Sequence, residues 1–127
     1  MSIVICQPSA GKENNLKQSK MAEEITGIFI HHVYFWLAEP DNVQNKKLLI
    51  EGLKKLSAVQ TIQRFHIGEP ANTSREVIDS TYSVSWILIF DNAADQDSYQ
   101  TDPIHLRFVE ECKHLWKRVQ VYDSIDA

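Results

Sequence analysis

Residues 28–37 (IFIHHVYFWL) constrain the fold more than any other part of the chain. Nearly every residue of this segment is apolar or aromatic, without the polar residue at every second position that marks a surface strand. Successive side chains of a strand point to opposite sides, so a strand with this pattern is buried on both faces. The chain is therefore expected to build a sheet that is covered on both sides.

A helix is predicted to follow this strand. Pro40 ends the strand, and Asp41 is interpreted as the N-cap, with Gln44 three residues later approximating a capping box. An apolar stripe then faces a row of charged side chains, which indicates an amphipathic helix lying on the sheet. The stripe consists of Val43, Leu49, Ile50, Leu53 and Leu56, and the charged row of Lys46, Lys47, Glu51, Lys54 and Lys55.

Three further strands and two further helices are predicted downstream. The strand segments are residues 61–67, 82–90 and 116–122. The polar loop 69–80 is of the kind that borders functional sites. Asp91 and Asn92 are interpreted as capping a short helix that runs to about Tyr99. A second helix begins at once, with Asp102 as N-cap and Pro103 in its first turn. It carries Ile104, Phe108, Cys112 and Leu115 on one face.

The order of elements, βαβ followed by βααβ, predicts an α+β fold of the ferredoxin-like type. In this arrangement one four-stranded antiparallel sheet carries all helices on a single face. The other face would then be a large exposed apolar surface, because the first and third strands are apolar on both sides. We therefore predict a homodimer that forms through the sheet faces.

Composition excludes several classes of protein. Lys and Arg total 13 against 17 Asp and Glu, and a formal net charge of -4 argues against nucleic-acid binding. The two cysteines, Cys6 and Cys112, do not resemble a disulfide framework, which favours a reducing compartment. Residues 3–6 are too short for a signal peptide, and no run reaches the roughly 20 apolar residues of a membrane span. We expect a cytoplasmic protein without membrane contact.

The N-terminal segment differs from the rest of the chain. Residues 7–24 are polar, poor in aromatic residues and without apolar periodicity, so they cannot offset the entropy lost on ordering. Residues 1–24 are therefore predicted to be a disordered extension, and residues 25–127 to form the folded domain.

Four strings of the sequence resemble the stress-responsive A/B barrel (Dabb) family. They are HHVYFWL at 31–37, FHIG at 65–68, the strand at 82–90, and YQTDPIHLRFV at 99–109, which is followed by Leu-Trp at 115–116 and VQVYD at 119–123. The resemblance spans about residues 28–124. It implies a dimeric α/β barrel, in which two four-stranded sheets face each other as a closed core, with a small-ligand pocket between sheet and helices in each subunit.

One plant branch of this family contains polyketide cyclases that work without a metal or an organic cofactor, so the resemblance implies no cofactor here. The resemblance to these cyclases implies that His105 is the catalytic base and Tyr99 the hydrogen-bond donor. It also implies that His32 is the histidine of the first strand that positions the ligand. Tyr34, Trp86 and Phe108 are interpreted as further ligand-binding residues. Asp102 and Val84 stand where those cyclases have histidines.

Three functions are compatible with the sequence. The first is a cofactor-free enzyme that acts on a polyketide-like carbonyl compound. The second is a stress-related binding protein for a small hydrophobic or aromatic ligand, in which the same residues only shape the pocket. The third is an oxygenase related to the antibiotic-biosynthesis or haem-degrading dimeric barrels, which ranks last because none of their motifs occurs. His66 and His114 lack metal-ligand spacing, so no metal site is predicted.

Overall fold

The computed structural model describes residues 21–127, and the interpretations of Cys6 and of the extension before residue 21 lie outside the described residues. Four antiparallel strands form the sheet, in the order β2-β3-β1-β4. The strands are β1 (Phe29–Leu37), β2 (Arg64–Gly68), β3 (Val84–Phe90) and β4 (Trp116–Ile125).

Three α-helices connect these strands within the described residues: α1 (Val43–Leu56), α2 (Ala93–Thr101) and α3 (Pro103–Cys112). A short 3-10 turn, Lys113–Leu115, leads from α3 into β4. The predicted order of elements and the ferredoxin-like fold class are confirmed. None of the helices within residues 21–127 combines the length and the hydropathy of a transmembrane segment.

The two faces of the sheet differ in cover. Along β1, alternate residues from Phe29 to Leu37 are buried against the helices, whereas the residues between them are only half-buried. The register places Leu88 and Asp123 beside His31 on the helix side. The opposite side, called here the open face, presents Ile30, His32, Tyr34, Trp36, Ile87 and Ile89, together with Arg118, Gln120 and Tyr122.

The core lies between the helix side of the sheet and α1 and α3. Leu49, Leu53 and Leu56 of α1 are fully buried there, as the apolar stripe predicts. Gly52 lets α3 approach closely, because a Cβ atom at this position would lie 2.6 Å from the sulfur of Cys112. Cys112 itself is a buried free thiol, as expected of a small apolar residue on that face.

Several predicted boundaries are corrected. The N-cap of α1 is Asn42, not Asp41: its side-chain oxygen accepts a hydrogen bond from the amide of Asn45. Val43 does not join the apolar stripe, since it is 73% exposed. β2 begins at Arg64 instead of residue 61, and β4 continues to Ile125 because it pairs with β1 along the whole strand.

The junction between α2 and α3 agrees with its prediction. Asn92 caps α2, and Asp102 caps α3 by accepting from the amide of Ile104 at 2.8 Å. Pro103 occupies the first turn, where its missing N–H costs nothing. The break between the helices turns the chain so that the end of α2 and the start of α3 face the same part of the sheet.

Candidate functional site

A cavity of about 150 Å³ lies between the helix side of the sheet and the junction of α2 and α3. Most of its wall is apolar, and three polar groups reach it from three different elements. Its lining consists of His31, Val33, Phe35, Trp86, Tyr99, Gln100, His105, Phe108, Val109, Trp116, Val119 and Val121. An apolar enclosure with a few convergent polar groups is the usual form of a small-molecule site.

Tyr99 is the phenol of this cavity. It lies near the C-terminal end of α2 and is 2% exposed, with its ring against Phe90 at 5.4 Å between centroids. The indole Nε1 of Trp86 donates a hydrogen bond to the Tyr99 hydroxyl at 3.2 Å. Burial raises the pKa of Tyr99 to about 12, and the bond from Trp86 only partly opposes this rise. The hydroxyl therefore stays protonated at neutral pH and can donate its own proton to a ligand.

His105 lies in the first turn of α3, with its ring 4.6 Å from the ring of Tyr99. Its Nδ1 is 3.1 Å from the carbonyl oxygen of Gln100, so Nδ1 carries the hydrogen and Nε2 keeps its lone pair. Burial lowers the pKa of His105, and the neighbouring His31 lowers it further, against the opposing effects of the Gln100 carbonyl and Asp102. A neutral imidazole with a free nitrogen can accept a proton.

His31 is the third polar group, and it is paired with Asp123. Its Nδ1 lies 2.6 Å from Oδ1 of Asp123, its cross-strand neighbour on β4. The imidazole is buried, whereas the carboxylate is 43% exposed. The ring of His31 is 5.8 Å from that of Tyr99. Because a carboxylate accepts hydrogen bonds, the pairing fixes the Nδ1–H tautomer and the orientation of the ring.

The structure brings most of the predicted site residues together and separates two of them. Tyr99, His105, Trp86 and Phe108 all line the cavity. The placement of His32 in this pocket is corrected: His32 lies on the open face, and His31 takes its place. Tyr34 lies on the open face as well, for the same reason of strand alternation.

Sequence reasoning missed both members of the His31–Asp123 pair. His31 has the same parity along β1 as Val33 and Phe35, but only the structure shows that these positions face the helices, so no signal in the sequence selects His31 over His32. Asp123 was visible in the sequence only as part of the string VQVYD, and its partner depends on the register of β4. Within residues 21–127, no cluster of His, Cys, Asp and Glu side chains is arranged to hold a metal ion.

The family model of the stress responsive A/B barrel domain matches residues 30–126, which include all of the polar groups of the cavity. The chain belongs to the stress-responsive A/B barrel family. A comparison with proteins of curated function finds no match.

Solved structures of similar fold include members of this family and an enzyme. A Dabb family protein from Mesorhizobium loti is 21% identical with a TM-score of 0.67, over 80% of this chain and 99% of that one. Hydroxynitrile lyase from Passiflora edulis is 15% identical with a TM-score of 0.68, over 81% and 96%. A dimeric protein of unknown function from Bacteroides fragilis is 18% identical with a TM-score of 0.62, over 81% and 100%. At these identities the likeness shows the fold alone.

Proposed function

We propose that this A/B barrel protein is a cofactor-free acid/base catalyst that acts on a small carbonyl compound in the cavity between sheet and helices. The observation that carries the proposal is the convergence of Tyr99, His105 and the His31–Asp123 pair on one apolar cavity. A base and a hydrogen-bond donor within one enclosure are what proton abstraction next to a carbonyl requires.

The groups fit an enolisation followed by an intramolecular aldol step. Nε2 of His105 removes a proton from the carbon next to the carbonyl, and the electrons of that C–H bond pass to the carbonyl oxygen. The hydroxyl of Tyr99 donates its O–H to this enolate oxygen, because the bond from Trp86 engages only the Tyr99 oxygen and leaves the proton available. The enolate carbon then attacks a second carbonyl of the same molecule. The resulting alkoxide takes its proton back from the imidazolium of His105.

His31 takes the positioning role first assigned to His32. Its ring is held by Asp123 and packs against the ring of Tyr99, so it supports the donor and forms one wall of the cavity. The carboxylate of Asp102, at the start of α3, favours the imidazolium that His105 becomes during the reaction.

The volume of the cavity limits the size of the substrate group that can react there. A space of about 150 Å³ encloses a group the size of benzene. Val119 and Val121 of the edge strand are 37% and 40% exposed at the border of the cavity, so the rest of a longer substrate can extend past them. We therefore expect the reacting carbonyl end to be enclosed and an apolar tail to lie along β4.

The test is the exchange of α-protons of cyclohexanone in D₂O, followed by proton NMR. Wild type is expected to accelerate the exchange, and His105→Gln to reduce the acceleration by about 100-fold or more. Tyr99→Phe is expected to cost about 100-fold through loss of the donor. His114→Gln is the control, because His114 is exposed and lies outside the cavity. Equal rates for wild type and His105→Gln would overturn the catalytic proposal.

A second candidate is a protein that binds a small apolar ligand without turnover. The apolar wall and the small volume of the cavity favour it. In that case benzene or cyclohexanone would shift the indole NMR signal of Trp86, while α-proton exchange would stay at the uncatalysed rate. A cytoplasmic location and a role in stress belong to either proposal. They rest on the sequence and on the description of the family.

We also propose that the protein is a homodimer that pairs through the open faces of two sheets. Ile30, Ile87 and Ile89 form an apolar cluster on this face, and cross-strand pairing places Ile30 beside Ile89. The similar structures from Bacteroides fragilis and Thermobifida fusca are described as dimeric. Covering such a cluster with a second copy would remove it from water.

A further inference from the structure

The open face carries a histidine near its centre. His32 belongs to the inner strand β1, and cross-strand pairing places Ile87 on one side of it and Tyr122 on the other. Ile30 and Tyr34 lie before and after it on the same side of β1. His32 is half-buried in the single subunit. A second copy that covers the aliphatic cluster therefore also covers the imidazole of His32.

The central part of the open face contains no acidic side chain. Three consecutive rows of paired residues cross the four strands there, and His32 lies in the middle row. The rows are Arg64, Ile89, Ile30 and Ser124; His66, Ile87, His32 and Tyr122; and Gly68, Ser85, Tyr34 and Gln120. A second copy presents the same three rows, so the centre of the contact between two copies contains no carboxylate either.

The charged and titratable groups around His32 come from every neighbouring part of the face. They are Arg64 and His66 of β2, Tyr34 of β1, Arg118 and Tyr122 of β4, Asp79 and Tyr82 of the loop before β3, and Glu24 and Asp126 at the end near Ile30. The three carboxylates lie at the ends of the face. Asp79 accepts hydrogen bonds from Thr81, and Asp126 accepts one from the amide of Gly27. Within residues 21–127, no carboxylate forms an ion pair with His32.

The charge of His32 therefore affects how well two open faces can pair. A charged group that leaves water without a partner costs far more free energy than a neutral polar group. Histidine is the side chain whose charge ordinarily changes between pH 5 and 8. The dimer would then bind fewer protons than two separate subunits, so association weakens as the pH is lowered through this range.

We propose that His32 makes the association of the two subunits dependent on pH. The open faces pair while His32 is neutral, and protonation of both copies of His32 separates the subunits on acidification. This inference rests on the proposed homodimer through the open faces and adds a form of regulation to it. It does not depend on the catalytic proposal, because Tyr99 and His105 lie on the other side of the sheet.

The test measures the dissociation constant of the dimer by sedimentation equilibrium. The full-length protein is compared at about pH 7.5 and about pH 5.5, at one ionic strength. The dissociation constant is expected to rise about tenfold or more at the lower pH, because each subunit takes up a proton as the dimer separates. Circular dichroism at both pH values checks that the subunits stay folded.

Three variants identify the responsible residue. His32→Gln and His32→Phe have no titratable group at this position, so each should dimerise with nearly the same dissociation constant at both pH values. His66→Gln is the matched control, because it is the same substitution in the same row of the face. His66 lies on the edge strand and is exposed, so its variant should keep the wild-type response.

The possible outcomes separate this inference from the dimer on which it rests. A monomer at pH 7.5 would overturn the dimer and the inference together. A dimer with equal dissociation constants at both pH values, or a tighter dimer in acid, would overturn the inference alone. A pH response that persists in both His32 variants but is lost in His66→Gln would also overturn it, since the edge strand would then carry the effect.

Discussion

The Nδ1 atom of His31 lies 2.6 Å from a carboxylate oxygen of Asp123, and this contact joins the inner strand β1 to the edge strand β4. The two residues are 92 positions apart in the chain. The pairing satisfies a buried imidazole and holds its ring against Tyr99, so it connects the fold of the sheet to the geometry of the cavity.

Asp123→Asn tests what the charge of this pair contributes. The amide keeps a hydrogen-bond acceptor but loses the charge, and the carboxylate is 43% exposed, so solvent already screens it. We expect the free energy of unfolding to fall by about 0.5–1.5 kcal/mol. Urea unfolding measures this as a lower midpoint with an unchanged slope. The control is Asp97→Asn on the exposed surface of α2, and equal midpoints for the two variants would contradict the prediction.

Tyr99→Phe removes the acceptor of a buried indole. Nε1 of Trp86 would then be left without its partner inside the core. An unsatisfied buried donor costs about 1–3 kcal/mol of unfolding free energy. Tyr122→Phe is the control, because Tyr122 is 59% exposed in the single subunit and its hydroxyl makes no hydrogen bond within residues 21–127, so the unfolding free energy should change little. In a double-mutant cycle with Trp86→Phe, the losses should not add. Simple additivity would show that the bond contributes nothing.

The pH dependence of activity follows from the shifted pKa values. His105 acts as a base in its neutral form, and its pKa lies below the ordinary 6.5. Activity should therefore persist in mildly acidic solution and begin to fall only below pH 6.5. Tyr99, with a pKa of about 12, should produce no alkaline decline up to pH 10. The measurement is the rate of α-proton exchange against pH. A midpoint above 6.5 would contradict the assignment of His105 as base.

Stability should respond to the same groups with a definite sign. Because His105 has a lower pKa in the folded state, the unfolded chain binds more protons below pH 6.5. The free energy of unfolding should therefore decrease as the pH is lowered from 6.5. Tyr99 has a raised pKa, so stability should fall as pH rises from 10 towards 12. His105→Gln should flatten the acid side of the profile measured by urea unfolding. An unchanged acid side would show that His105 is not the group responsible.

Ile87→Glu tests the dimer through the open face. A charge in the aliphatic cluster would have to be desolvated on association, so the variant should be monomeric. Light scattering should then report about 14.6 kDa instead of twice that mass. Val77→Glu in the exposed loop is the control and should stay dimeric. A dimeric Ile87→Glu variant would place the contact elsewhere.

Local signals predicted much of this structure, and non-local contacts account for what they missed. Asp102 and Pro103 define the start of α3 by chemistry confined to one turn, so their roles could be predicted. The choice between His31 and His32 depends on which side of β1 meets the helices, and two adjacent histidines give the same local pattern. The partner of His31 depends on the register of β4 against β1. Composition and periodicity do not encode that register.

The most direct measurement compares two neighbouring histidines on opposite faces of one strand. His31→Gln and His32→Gln are the same substitution at adjacent positions, and only His31 lines the cavity with Tyr99 and His105. The rate of α-proton exchange of cyclohexanone is expected to fall about tenfold or more in His31→Gln, because the ring held by Asp123 is lost. It should stay at the wild-type value in His32→Gln. Loss of activity in His32→Gln with full activity in His31→Gln would place the reaction on the other face of the sheet and contradict the account.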